Sequence, residues 1–276
     1  MTLISSVVFA ALACCAMQKE PAYDTLISHR GESYDAPENT LPAYQMAVDR
    51  GFGFECDLYL SKDKRVFSFH DTNLKRTTGK DLKCEDASWE DILSKLDAGA
   101  WKGEKWKGVR PALLEEILPL ARKGRKIYVE IKSGPEIVPY IKEIFAKQSV
   151  ANPDTALFIC FNADVCAALN EQMPEYKVYW LCSAKINHGK GKPRTPRTAA
   201  SIVKTLKKIG ADGVDISFDP SVVTEDFVKE IKSAGFEFHV WTIDKLDTAL
   251  LAFRRGAMTV TTNRSKGLLD EHRARK

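Results

Sequence analysis

The 276-residue chain reads as an α/β protein, a (β/α)8 TIM barrel with a small insertion after the second strand. Three observations predict it. Strand-like apolar runs recur eight times, amphipathic stretches lie between most of them, and several of those stretches stop at a glycine. Eight such units in about 250 residues match the size of this barrel. An open doubly wound sheet is the rival, but no glycine-rich dinucleotide fingerprint supports it. At 44% hydrophobic and 28% charged, the composition is that of an ordinary globular protein able to bury a core without disulfides.

Taken from the start, residues 1–16 are apolar and uncharged, and Lys19 is the first charge. A stretch this short is expected to be an export signal, making the protein periplasmic or secreted. Ala11-Leu12-Ala13-Cys14 is a loose version of a lipobox, with Leu12 two residues before the cysteine instead of three. A lipoprotein is therefore the alternative, and membrane contact is expected only through such an anchor. One barrel domain is expected over residues 24–268. Its strands are predicted at Thr25–Ser28, Phe52–Leu58, Lys126–Ile131, Ala156–Phe161, Lys177–Cys182, Gly213–Ile216, Phe236–Thr242 and Ala257–Thr261. Helical stretches Leu41–Arg50, Leu113–Lys123, Thr224–Ala234 and Lys245–Arg255 each run into a glycine, a helix-stop signal.

Two segments break the alternation. Arg65–Phe69 is expected to pair back on the second strand through the Ser61–Lys64 turn. Residues 72–111 then form a long excursion with Trp89, Trp101 and Trp106. Ser88 and Asp91 suggest a capping box for a short helix over Ser88–Leu96. The excursion reads either as a lid or substrate wall, or as a plain cover on the barrel edge.

Without the leader, Cys56, Cys84, Cys160, Cys166 and Cys182 remain, an odd number and no C-x-x-C pair. Zinc is not indicated and the cysteines read as structural. The net charge of +4 is too small and dispersed to argue for nucleic acid. Lys185–Arg197 is rich in Lys, Arg, Gly and Pro and reads as a solvated loop, or as a face for an anionic head group or membrane. His239 is expected to be a hydrogen-bonded core residue and His272 to be solvated in a polar tail.

The chemistry concentrates in the first half. Glu55 and Asp57 flank Cys56 on a strand and so share one face; Glu130 and Lys132 flank Ile131 in the same way. Both pairs end apolar strands, where a barrel gathers its catalytic groups. Three like charges held together call for a cation, and oxygen ligands suit a hard divalent ion, Ca2+ or Mg2+. His29 and His70 also end apolar strands beside charged neighbours, and two imidazoles can accept and donate a proton. Arg30 and Lys132 suit phosphate oxygens, with a salt bridge to a barrel carboxylate as the alternative for Arg30. Asp71 reads as a turn cap or as an orienter of His70. Asn39 is expected to cap the first helix, with Pro42 in its first turn, and Glu38 to touch the metal shell or the substrate.

In the order His29-Arg30-Gly31, Pro37-Glu38-Asn39-Thr40, Glu55-x-Asp57, His70-Asp71 and Glu130-x-Lys132, the chain resembles the glycerophosphodiester phosphodiesterases. The likeness continues through Leu74–Gly79, Leu96–Gly99, Leu114–Ile117, Val240-Trp241-Thr242 and Thr262-Asn263-Arg264. Ala112 and Ser265 depart mildly from it. The resemblance implies a barrel enzyme that hydrolyses glycerophosphodiesters to glycerol 3-phosphate and an alcohol. It implies His29 and His70 as the acid/base pair and Glu55, Asp57 and Glu130 as metal ligands. It further implies substrate contacts from Arg30, Lys132 and Trp241, with Glu38 in the same loop. The rival enzyme is a lysophospholipase D-like phosphodiesterase. A non-catalytic barrel used for binding is the other, against which the full set of histidines and carboxylates argues. No G-x-S-x-G, Walker loop or H-x-H pair points to another hydrolase class.

Overall fold

A computed structural model of the chain describes residues 19–276; the expected export segment lies outside the described residues. Eight strands form a closed parallel barrel: β1 (Leu26–Ser28), β2 (Gly53–Leu60), β3 (Ile127–Ile131), β4 (Ala156–Cys160), β5 (Val178–Cys182), β6 (Gly213–Ser217), β7 (Glu237–Trp241) and β8 (Val260–Thr262). Each pairs with the next in sequence, and β8 pairs with β1 to close the ring. All but β6 and β7 are wholly buried along their length, as strands covered on both faces must be.

Outside the barrel lie α1 (Leu41–Asp49), α2 (Leu114–Ile117), α3 (Val138–Ala146), α4 (Ala163–Gln172), α5 (Ala199–Ile209), α6 (Glu225–Ser233), α7 (Leu246–Arg254) and α8 (Ser265–Ala274). Outward-facing strand residues such as Phe54, Cys56, Val129, Phe158 and Phe238 pack on their apolar faces to make the main core. Inward-facing residues, among them Ile27, Tyr128, Leu157, Tyr179 and Leu181, fill the lumen. The five cysteines of the described residues are all buried and free, in keeping with structural roles.

β2 is longer than the other strands because its far end pairs antiparallel with Val66–Ser68 across the Ser61–Lys64 turn. Lys64 takes a left-handed φ of 63° there. A second, smaller core of Tyr59, Phe67, Leu74, Trp89 and Leu93 forms under the excursion.

Three local expectations fail, each to a tertiary partner or a proline. The Ser88–Leu96 helix is only a 3-10 turn at Leu93–Lys95. Ser88 Oγ does accept from the Asp91 N–H at 3.4 Å, and the Asp63 carboxylate across the chain accepts from the N–H groups of Trp89 and Glu90 at 2.8 and 3.2 Å. Ser88 Oγ also donates to Asp63, at 2.9 Å. The expected Leu113–Lys123 helix is one α-turn followed by a 3-10 turn at Leu118–Leu120, since Pro119 cannot supply its N–H. The C-terminal tail is α8, and His272 is buried against the N-terminal end with Nε2 3.3 Å from Glu20.

Gly31 follows β1 at φ +76°, and a Cβ there would lie 2.6 Å from the Ala43 carbonyl carbon in α1. Gly124 has φ +75° with nothing within 4 Å. Gly124→Ala should therefore cost about 1–2 kcal/mol from the left-handed backbone alone. Gly31→Ala should cost about 3 kcal/mol or more, because α1 must also shift. Urea unfolding midpoints of the two variants measure the difference; equal midpoints would remove the steric argument.

Candidate active site

Alternation along β2 sends Glu55 and Asp57 into the barrel lumen while Cys56 enters the outer core. The β2–β3 register sets Asp57 opposite Glu130, so two sequence-distant carboxylates become neighbours across one strand pair. Ligand oxygens of Glu55, Asp57 and Glu130 all lie within 4.8 Å of one another, and all three residues are buried. At an effective dielectric near 20, each like-charge pair about 4 Å apart costs about 4 kcal/mol. Such a trio needs positive charge.

The chain supplies part of it. Lys132 Nζ sits 2.9 Å from Asp57 and also touches Glu130. Arg30 Nε lies 3.6 Å from Asp57, and the Arg30 backbone N–H donates to Glu55 at 2.8 Å. Burial pushes the Glu55 carboxyl well above its ordinary range, with Asp57 and Glu130 adding to the push. Burial and Asp57 likewise raise Glu130, against the pull of Lys132. On Asp57 burial acts in the same direction, but Lys132 and Arg30 outweigh it and hold the group below its usual value. Glu55 Oε1 is buried with no hydrogen-bond partner among the described residues. An orphaned carboxylate oxygen beside two others is a donor set that fits a hard divalent cation.

Two connections bring the histidines to this point. After the Val66–Ser68 strand, the Phe69 N–H donates to the Asp57 carbonyl at 3.0 Å, which places His70 beside β2. Asp71 accepts from His70 Nδ1 at 2.7 Å and from Arg76 at 2.6 Å, so it orients the histidine; the turn-cap reading does not hold. His29 ends β1, and β8 is its neighbour. Asp244 accepts from the Asn263 amide at 2.7 Å, which leaves Asn263 Oδ1 to accept from His29 Nδ1 at 2.7 Å. His29 Nε2, 3.9 Å from Glu55, is thereby the unprotonated nitrogen. Burial, with Arg30 adding to it, pushes His29 down to about 4. The ring is neutral at neutral pH.

Asn39 is not the cap of α1; Thr40 occupies that position. With φ +57°, Asn39 turns inward and is 3% exposed. Its amide donates to Asp57 Oδ2 at 2.7 Å and its oxygen accepts from the Asp57 N–H at 3.1 Å. That oxygen also lies 2.8 Å from the Tyr44 hydroxyl and 3.0 Å from that of Ser68. Glu38 is held by Arg30 at 2.9 Å and by Arg76 at 2.6 Å, so it braces two arginines and does not line the main cavity.

That cavity, about 240 Å³, opens at the C-terminal end of the barrel. His29, Arg30, Glu55, His70, Glu130 and Lys132 line it on one side. Phe161 and Trp241, ring centroids 5.5 Å apart, continue the wall beside Lys132, whose Nζ lies 5.9 Å from the Phe161 ring centroid, and Asp215 and Thr261 complete it. Trp241 is fixed by a 3.0 Å bond from its Nε1 to the Asp215 carbonyl. A second cavity, about 260 Å³, lies at the other mouth, with Tyr128, Tyr179, Glu237 and His239 in its lining. Tyr179 donates to Glu237 at 2.5 Å, and His239 shares a 2.7 Å bond with Thr259, as a core histidine should. The carboxylate–histidine cluster therefore defines the reactive end. Asp244, Asp215 and Phe161 carried no motif of their own in the sequence; only Asp244, three residues after Trp241, had a neighbour that could have flagged it.

The model of the glycerophosphoryl diester phosphodiesterase family matches residues 29–266. A glycerophosphodiester phosphodiesterase from Caldanaerobacter subterraneus is 40% identical over 124 residues, 44% of this chain and 51% of that protein. One from Bacillus subtilis is 27% identical over 237 residues, 79% of this chain and 76% of that protein. The matches to the Caldanaerobacter protein and to a second Bacillus subtilis relative span about half of each relative's length, 51% and 49%. Among solved structures, a phosphodiesterase from Oleispira antarctica, in complex with its product sn-glycerol 3-phosphate, superposes with a TM-score of 0.77 at 25% identity. The superposition covers 90% of this chain and 96% of that one.

Replacing Asn39 by Leu keeps the side-chain volume but strips partners from Asp57, Tyr44 and Ser68. Each buried polar group left alone costs roughly 1–3 kcal/mol, so Asn39→Leu should lose about 2–4 kcal/mol in chemical unfolding. A loss below 1 kcal/mol would mean that Asn39 only fills space.

Proposed function

We infer that this chain, which belongs to the glycerophosphoryl diester phosphodiesterase family, hydrolyses glycerophosphodiesters to glycerol 3-phosphate and an alcohol. One observation carries the reading: a cluster of three buried carboxylates, two of which, Glu55 and Glu130, line a single cavity with two histidines and two cations at the C-terminal end of the barrel. The product held by the Oleispira relative is the fragment that such a cavity would release.

A Ca2+ or Mg2+ ion held by Glu55, Asp57 and Glu130 would supply positive charge against the phosphate oxygens as charge builds on them. Arg30 and Lys132 line the same cavity and add fixed charge for the phosphate. His29, neutral and presenting Nε2, takes the proton from the attacking oxygen of water or of the adjacent glycerol hydroxyl. In the second case the cyclic phosphodiester formed as the alcohol leaves is opened by water in a further step. His70, held through Nδ1 by Asp71, turns its other nitrogen to the leaving alcohol and donates the proton. Trp241 and Phe161 give the organic part of the substrate an apolar wall. Asn263 and Asp244 position His29 and touch no reacting atom.

Release of glycerol 3-phosphate from a panel of glycerophosphodiesters, with Ca2+, Mg2+ or a chelator, tests the reading. Turnover should be lost in chelator and restored by one of the two ions. His29→Ala and His70→Ala should each lower kcat by roughly 10²–10⁴-fold. A substrate with a p-nitrophenolate leaving group should rescue His70→Ala and not His29→Ala, since only the former lacks the donor. Unchanged activity in either variant would sink the scheme. Release of choline from lysophosphatidylcholine, with none from the soluble diesters, would favour the lysophospholipase D-like reading.

A further inference from the structure

Beyond Phe161, which lines the cavity, the rim carries features that hydrolysis of a soluble diester does not use. Among the described residues, the large hydrophobic side chains left exposed are Tyr34, Trp101, Val150 and Phe161. Val150 precedes β4 and so lies at the opposite end of the barrel. The other three, at 66%, 42% and 46% exposure, all belong to segments that follow barrel strands on the reactive end. Tyr34 is tied to that rim by its N–H, which donates to the Asn263 carbonyl at 3.2 Å. Phe161 lines the cavity mouth itself.

Trp101 is brought to the same rim by the excursion after β2. Lys102 Nζ donates to the Ser33 carbonyl at 2.7 Å, so this loop docks on the segment that holds Tyr34. The loop is stapled by one side chain: Asp97 accepts from the N–H groups of Gly99, Ala100 and Gly108 at 2.8–2.9 Å. Trp101 Nε1 donates to the Ala98 carbonyl at 2.8 Å, fixing the indole in place. Between Trp101 and Gly108 the sequence carries Lys102, Lys105 and Lys107 against a single acid, Glu104. Lys105 stacks its ammonium over the Trp106 ring at 4.8 Å. Across the mouth, the loop after β5 between Lys185–Ile186 and Thr195–Pro196 exposes Lys190, Lys192 and Arg194 and contains no acid.

We propose that this aromatic and basic rim, centred on the Trp101–Lys107 loop, seats the reactive end of the barrel on an anionic lipid membrane. The occupant follows from charge and chemistry. Solvated lysines flanking ordered, half-exposed Trp and Tyr rings suit an interface that is negative at its surface and apolar just beneath. Among the described residues no helix is long and apolar enough to cross a membrane, so the contact is peripheral. The cavity then faces the lipid surface. Vesicle binding is read without turnover, so its failure and the failure of the hydrolase reading are distinguishable.

The test is sedimentation of the full chain with vesicles, alongside turnover of a soluble glycerophosphodiester. Wild-type protein should bind phosphatidylcholine–phosphatidylglycerol vesicles more tightly than pure phosphatidylcholine vesicles, and release at high salt. The double variant Lys105→Glu, Lys107→Glu should lose tenfold or more in that affinity, each basic residue near such a surface being worth roughly fivefold. The Lys105→Arg, Lys107→Arg pair should retain it. Tyr34→Ala with Trp101→Ala should weaken binding further, and soluble turnover should hold in all of them. Equal binding by wild type and the Lys→Glu variant would overturn the proposal. So would equal wild-type affinity for neutral and anionic vesicles, which would assign retention to the apolar residues at the chain start.

Discussion

Burying Glu55, Asp57 and Glu130 against one another sets the terms for everything around them. Desolvated like charges this close are unfavourable by several kcal/mol for each pair at about 4 Å. The fold responds at each level. Lys132 extends from the same strand as Glu130, two residues on, and reaches both it and Asp57. The left-handed turn at Arg30 aims a backbone N–H at Glu55 while its guanidinium bridges Asp57 and Glu38. Asn39, also left-handed, wraps Asp57 from the side. Glu55 Oε1 is left without a partner among the described residues, and with its two neighbours it makes a donor set that fits a hard divalent cation.

The same constraint explains the shape of β2. A strand that only built the barrel could stop near the length of its neighbours, yet β2 runs to Leu60 and turns back on itself. That return ties the Phe69 N–H to the Asp57 carbonyl and so brings His70 beside β2. His29 arrives by a different route, from β1, and receives its orienting group from the last strand. Each of the two histidines is thus braced by a carboxylate: His70 by Asp71 directly, and His29 by Asp244 through Asn263. At the opposite mouth of the barrel Tyr128 and His239 share hydrogen bonds with Thr259, and Tyr179 donates to Glu237, which stabilises the lumen.

Much of this was legible in the chain. Apolar runs located all eight strands to within a few residues, because strands buried on both faces are mostly apolar. Period-two alternation placed Glu55 with Asp57 and Glu130 with Lys132, because side-chain direction along a strand is a local property. Cys56 and Cys160 read as core residues for the same reason and are buried. Local helix signals fared worse wherever a tertiary partner competed. Ser88 kept its bond from the Asp91 N–H but shared the turn with Asp63, and Asn39 left the helix start to Thr40.

Strand identity, the lumen-facing carboxylates and the presence of two histidines at strand ends were therefore determined by sequence alone, since each depends on residues a few positions apart. Only the tertiary structure decided which partner each group took. The β2–β3 register paired Asp57 with Glu130, closure between β1 and β8 gave His29 its Asn263, and docking of the excursion set Trp101 beside Tyr34. The buried His272 belongs with them, because its partner Glu20 is at the far end of the chain. Contacts between residues distant in sequence depend on barrel closure and packing, and no local pattern encodes them.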